Sequence, residues 1–120
     1  MSDSMTYGSD VNRVYLRGRL AAEAVARTLP SGDELCVFRL TVDRPDGDRV
    51  RVDSLDCAAS KARVRHTVAR ARPGDELEVS GSLRRRFWRG AGGLSSRYEV
   101  AVVAARITVR QRAPRRRSDA

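Results

Sequence analysis

The chain has 120 residues, with 24 basic and 15 acidic side chains, a net charge of +9, 41% hydrophobic residues, one histidine and two cysteines. That length and apolar content support one modest core and argue against wholesale disorder or several domains. No window reaches the roughly 18 apolar residues of a membrane span, the first ten residues lack the basic and apolar regions of a signal peptide, and the cysteines and histidine are too few for a structural zinc site.

Residues 1–10 are small, polar and without periodicity, and are expected to be disordered. Val14, Leu16, Gly18 and Leu20 then alternate with Arg13, Tyr15, Arg17 and Arg19, the period of two of a half-exposed strand. Ala21–Arg27 fits a short helix or a continuing strand, ended by Leu29-Pro30-Ser31-Gly32-Asp33. Glu34–Val42 reads as a second strand with Cys36, Phe38, Leu40 and Val42 on one face, and Pro45-Asp46-Gly47-Asp48 as a hairpin turn. A third strand spans about Arg49–Ala59. Ser60–Ala71 lacks Gly and Pro and places Val64 and Val68 four apart, which predicts a helix with Ser60 as its N-cap, stopped by Pro73-Gly74-Asp75.

Leu77, Val79, Gly81 and Leu83 alternate as a fourth strand that runs on through Trp88. Arg89-Gly90-Ala91-Gly92-Gly93 reads as a flexible tip and Arg97–Val109 as a fifth strand. Residues 110–120 form a basic, proline-broken tail expected to be disordered. Five short strands over residues 11–109, with one short helix between the third and fourth, make an all-β, five-stranded Greek-key barrel of the OB-fold type.

The charge is unevenly spread. Met1–Leu83 holds 13 basic and 13 acidic residues, whereas Arg84–Ala120 holds 11 arginines against Glu99 and Asp119. A neutral body with one basic end suits a surface that meets a polyanion.

Four segments, in order, resemble the bacterial single-stranded DNA-binding proteins. They are Asn12–Leu20 (NRVYLRGRL), the Leu29-Pro30-Ser31-Gly32 turn, Asp53–Lys61 (DSLDCAASK) with the later Arg72-Pro73-Gly74-Asp75, and Val79–Trp88 (VSGSLRRRFW). The resemblance covers roughly Asn12–Val109. It implies an OB fold, cytoplasmic and nucleoid-associated DNA metabolism, and assembly into a homotetramer or homodimer or pairing with a paralogue. It also implies binding of single-stranded DNA with little sequence choice in replication, recombination or repair, without a cofactor.

Parity within the fourth strand makes that expectation specific. If Leu77, Val79, Gly81 and Leu83 face the interior, Arg84, Arg86 and Trp88 share the opposite face. Two guanidiniums flanking an indole match a single strand's phosphates and bases. Arg39, Arg17, Arg19 and Arg97 are the further candidates for the same groove, with an exposed charged edge as the bland alternative.

Two departures weaken the likeness. Family members usually carry aromatics on strand three and in the loop after strand two, where this chain has Ser54, Ser60 and the polar Pro45–Asp48 turn, and it places Asp53 and Asp56 nearby. Trp88 is then the one remaining stacking platform, and binding is expected to be weak and strongly salt-dependent. The chain also ends in Arg115-Arg116-Arg117-Ser118-Asp119-Ala120 instead of the family's acidic tip. A second reading is therefore an OB-fold interaction module, or a primosomal-type accessory protein acting through other replication proteins; RNA binding is a third.

A hairpin centred between Asp46 and Gly47 places Cys36 directly across from Cys57. They are then either two buried thiols or an oxidisable pair. His66 has no base partner in a readable motif, and Gly90, Gly92 and Gly93 do not form a phosphate loop, so no enzymatic activity is expected.

Overall fold

The computed structural model describes residues 9–111, so the expected disorder of residues 1–8 and 112–120 lies outside the described residues. Alternating side chains set the strands, and the barrel interior selects one face of each. The elements are β1 (Val14–Leu20), β2 (Val25–Thr28), β3 (Glu34–Asp46), β4 (Arg49–Ala59), α1 (Ala62–Ala69), β5 (Glu76–Gly90) and β6 (Gly93–Val109). Strands β1, β5, β6, β4 and β3 hydrogen-bond in that order, and β1 returns to β3 through Arg19–Thr41 and Leu20–Leu40, closing the ring. The pairs are antiparallel except β4–β6, which run parallel at Cys57–Val100 and Ala58–Ala101. This is the five-stranded OB barrel, with α1 following the strand that ends at Ala59.

Of the undecided Ala21–Arg27 stretch only the part from Val25 onward becomes a strand, the short β2, which lies outside the ring along β3. Leu20, Phe38, Leu40, Leu77, Val79, Val100 and Val102 fill the interior, and Val64 and Val68 of α1 join the same cluster. Packing of that kind stabilises by roughly 1.5–3 kcal/mol per fully buried side chain. The helix is shorter than expected: Lys61 occupies the N-cap without a side-chain cap bond, and Ser60 precedes it. Asp75, 1% exposed, fastens the loop after α1 to the end of β6 by accepting the backbone N–H of Arg72 (2.8 Å) and of Gln111 (2.6 Å). Those two bonds, the Arg72 one first, hold its carboxyl below the usual range despite burial.

The hairpin register differs from expectation by two. Asp46 pairs with Arg49, leaving Gly47-Asp48 as the turn, with Gly47 at φ +65°. The glycine takes the first turn position because positive φ is needed there, which moves the turn centre one residue along. Cys36 therefore faces Ala59, and Cys57 faces Phe38. The two cysteines share the inward face as diagonal neighbours, about 7–8 Å apart by general sheet geometry, too far for a disulfide without backbone movement.

Two hairpins outrun the barrel. The β3–β4 arm continues to its turn at Gly47-Asp48, and the β5–β6 arm to Ala91-Gly92. The expected five-residue tip at 89–93 is thus only a two-residue turn, because cross-strand pairs extend to Gly90–Gly93. Leu83, expected inside, is 45% exposed, since β5 leaves the barrel there. A register shift at Ser80/Gly81 marks the departure; the backbones approach so closely that a Cβ on Gly81 would overlap the Ala101 carbonyl. Asn12 clamps the same point: its amide donates to the Leu83 carbonyl (2.8 Å) and accepts from the Leu83 N–H (2.9 Å).

Candidate nucleic-acid interface

On β5 the even-numbered side chains point away from the interior. Ladder pairing therefore puts Arg84 beside Glu99, Arg86 beside Arg97 and Trp88 beside Ser95 on one outer face. Two like charges across a ladder repel, and the structure separates them. Arg86 donates its Nε to Glu99 Oε2 at 2.6 Å, while the Arg97 guanidinium lies over the Trp88 ring, 5.8 Å from its centroid. Trp88 keeps 46% of its surface exposed. The arm thus presents an indole with a cation already seated on it.

Parallel pairing of β6 with β4 continues this face onto the barrel. Arg39 and Asp56 stand opposite each other on β3 and β4, joined at 3.1 Å through Arg39 Nε. A depression of about 260 Å³ holds Arg39, Asp56, Arg97 and Glu99 together over a floor that includes Val37. A second, of about 690 Å³, lies between the arm and the start of α1 and is lined by Arg84, Arg85, Arg86, Lys61 and Arg65 together with Asp33 and Glu34, the last paired with Arg65 at 3.2 Å. Glu99, 6% exposed, borders both.

The tertiary structure therefore brings Arg39, Arg84, Arg86, Arg97 and Trp88 to one continuous face. It does not bring Arg17 or Arg19 there. Both sit on β1, where Arg17 lies across from Glu78 and 3.9 Å from its carboxylate, and Arg19 across from Glu76. Glu78 also accepts both Nε (3.1 Å) and Nη2 (3.0 Å) of Arg106. That bond, ahead of the Arg17 charge, lowers the Glu78 carboxyl's pKa. On this sector of the barrel the arginines are matched by acids within the fold.

Sequence reasoning also missed groups. Lys61 and Arg65 join the larger depression only because α1 starts beside the root of the arm. On the opposite face of the arm, the Arg85 guanidinium lies between the rings of Phe87 and Tyr98, 5.2 and 5.4 Å from their centroids. The signal was available, since Phe87 and Trp88 are adjacent in a strand and must face opposite ways. Cys36 and Cys57 are buried free thiols. Burial raises both, Cys57 to about 12 with help from Asp56 and Glu99, which disfavours the reactive thiolate.

The profile of the single-strand binding protein family matches residues 11–110. A solved structure of the Plasmodium falciparum SSB in complex with ssDNA has a TM-score of 0.72 at 19% identity, covering 82% of this chain and 96% of that one. The two share a fold. Comparison with curated protein sequences returns no match. With the barrel, its β5–β6 arm and a profile that spans most of the sequence in agreement, this chain belongs to the single-strand binding protein family.

Proposed function

We propose that this protein binds single-stranded DNA with little sequence preference, through the face formed by Trp88, Arg97, Arg86, Arg84 and Arg39. The observation that carries the reading is the Arg97–Trp88 stack on an arm with no acidic residue between Arg84 and Tyr98. A base adds to the free side of the indole, and the guanidiniums neutralise phosphates on either side. Family membership and the likeness to a relative solved with ssDNA support the choice of ligand. Binding is weak because one tryptophan serves this face, and Asp56 and Glu99 occupy part of the arginine charge. The role is DNA replication, recombination or repair in the cytoplasm, as a homo-oligomer, and involves no catalysis.

Titration with oligothymidylate at low salt, followed by Trp88 emission and then by added salt, tests this directly. Quenching that salt reverses, with a logarithmic slope of about −0.7 per phosphate contact, is the expected result. Unchanged emission together with no gel shift would overturn it in favour of an OB-fold interaction module.

A further inference from the structure

Only one face of the β5–β6 arm takes part in the binding proposed above. The other carries Leu83, Arg85, Phe87, Tyr98 and Leu94, with Arg85 across the ladder from Tyr98 and Arg89 across from Leu94. Arg85 is fixed there. Its Nε and Nη2 donate to Ser96 Oγ at 3.2 and 3.0 Å, and its guanidinium sits between the Phe87 and Tyr98 rings. The rings nevertheless remain 59% and 57% exposed. The cluster holds a cation and leaves ring surface open, which is the combination that stacks a base beside a phosphate.

Charge decides between the occupants such a face allows. No carboxylate lies between Leu83 and Tyr98, and among the described residues Arg85 and Arg89 form no ion pair, although Asp33, Glu34 and Glu99 border the depression that Arg85 lines at the root of the arm. A second copy of the chain docked here by two-fold symmetry would set this net-positive face against an identical one, and burying its cations unpaired is strongly unfavourable. A polyanion with flat apolar bases fits both halves of the face.

We infer that the Phe87–Arg85–Tyr98 face is a second single-strand binding site, on the opposite side of the arm from Trp88 and meeting the first at the root of the arm, where Arg85 also lines the larger depression. One strand then contacts both sides of the arm, or two segments occupy it together. This rests on the single-strand binding reading above and adds stacking platforms that the sequence alone did not reveal.

The test is the full-length protein carrying Phe87→Thr and Tyr98→Thr, which keep strand-compatible side chains. Arg85→Gln provides a second variant with both rings intact. Each is titrated with oligothymidylates of about 6 and about 30 nucleotides, lengths near the lower end of and well above the usual site of one OB fold, about 4–16 nucleotides. Trp88 emission reports the first face and oligonucleotide anisotropy reports total binding. The expected result for the double variant is Trp88 quenching by the short strand within about twofold of the parent, and roughly tenfold or greater loss of affinity for the long strand. Arg85→Gln is expected to show a smaller loss confined to the long strand, with a shallower salt slope.

No loss on the long strand in either variant would overturn the inference. So would equal losses on both strands, which would mean that the cluster merely holds the arm in shape. A change of sedimentation coefficient with both affinities unchanged would assign the face to a second copy instead. If the parent's Trp88 is not quenched while the variants still lose long-strand affinity, the second site stands and the Trp88 reading falls.

Discussion

The two arms leave the same barrel as antiparallel hairpins closed by two-residue turns, but they use charge in opposite ways. Residues 43–53 of the β3–β4 arm hold four aspartates and three arginines, and pair them internally as Arg44–Asp53 at 3.1 Å and Arg51–Asp46 at 2.7 Å. Its exposed apolar residues are Val50 and Val52. The β5–β6 arm holds Arg84, Arg85, Arg86, Arg89 and Arg97 with Phe87, Trp88 and Tyr98, and its nearest acid is Glu99 at the root. One arm comes within one charge of neutrality and closes two ion pairs within the fold. The other carries repulsion that ring faces and a single carboxylate only partly relieve, and a bound polyanion removes the remainder. An arginine count therefore says little about binding until the position of the acids is known.

The largest test concerns how firmly the binding arm is rooted. Gly81→Ala is expected to lower stability by about 3 kcal/mol, because its Cβ meets the Ala101 carbonyl where β5 leaves the barrel. Gly47→Ala at the tip of the β3–β4 arm is limited to about 1 kcal/mol, the cost of its positive φ in open space. Thermal unfolding of both variants measures the difference, and equal losses would show that the bulge is not the point of strain.

Next comes the contrast in stacking. Trp88→Thr should lose about tenfold or more in affinity for labelled oligothymidylate, whereas Val52→Thr, at an exposed position on the other arm, should leave it unchanged. Similar behaviour of the two would erase the distinction between the arms.

A third prediction reaches the base on which both arms stand. Asp75→Asn removes a charged acceptor from two backbone N–H groups and should cost about 1.5 kcal/mol near neutral pH. Because the folded carboxyl titrates below its ordinary value, its stabilisation is fully present above the unfolded value of about 3.9 and is lost as pH falls through that value towards the folded one. Denaturant midpoints across this range should fall more steeply for the parent than for the variant. Parallel curves would assign the acid sensitivity elsewhere.

The smallest effect sharpens the electrostatic difference. Arg84→Gln, at an arginine that forms no ion pair among the described residues and lines the larger depression, should reduce the magnitude of the salt slope by about 0.7, while Arg44→Gln, already paired with Asp53, should leave it unchanged. A matching change in both slopes would mean that the internal ion pairs of the β3–β4 arm do not withhold its arginines from phosphate.

Local periodicity was enough to locate β1, β3, β4 and β5, the burial of Val64 and Val68, and the shared face of Arg84, Arg86 and Trp88, because alternation and helical spacing act within a few residues. The undecided stretch before Leu29 depended on an edge of β3 that exists only in the barrel. Moving one turn centre by a residue separated Cys36 from Cys57, and the closure of the β5–β6 ladder turned an expected loose tip into an arm. Arg39 met Arg97, 58 positions later in the chain, through the parallel β4–β6 contact, while ladder pairing drew Arg17 to Glu78 instead. Side-chain direction is a local property that spacing records. Which charges become neighbours depends on pairing between distant strands, and that is settled only when burial and hydrogen bonding close the whole barrel.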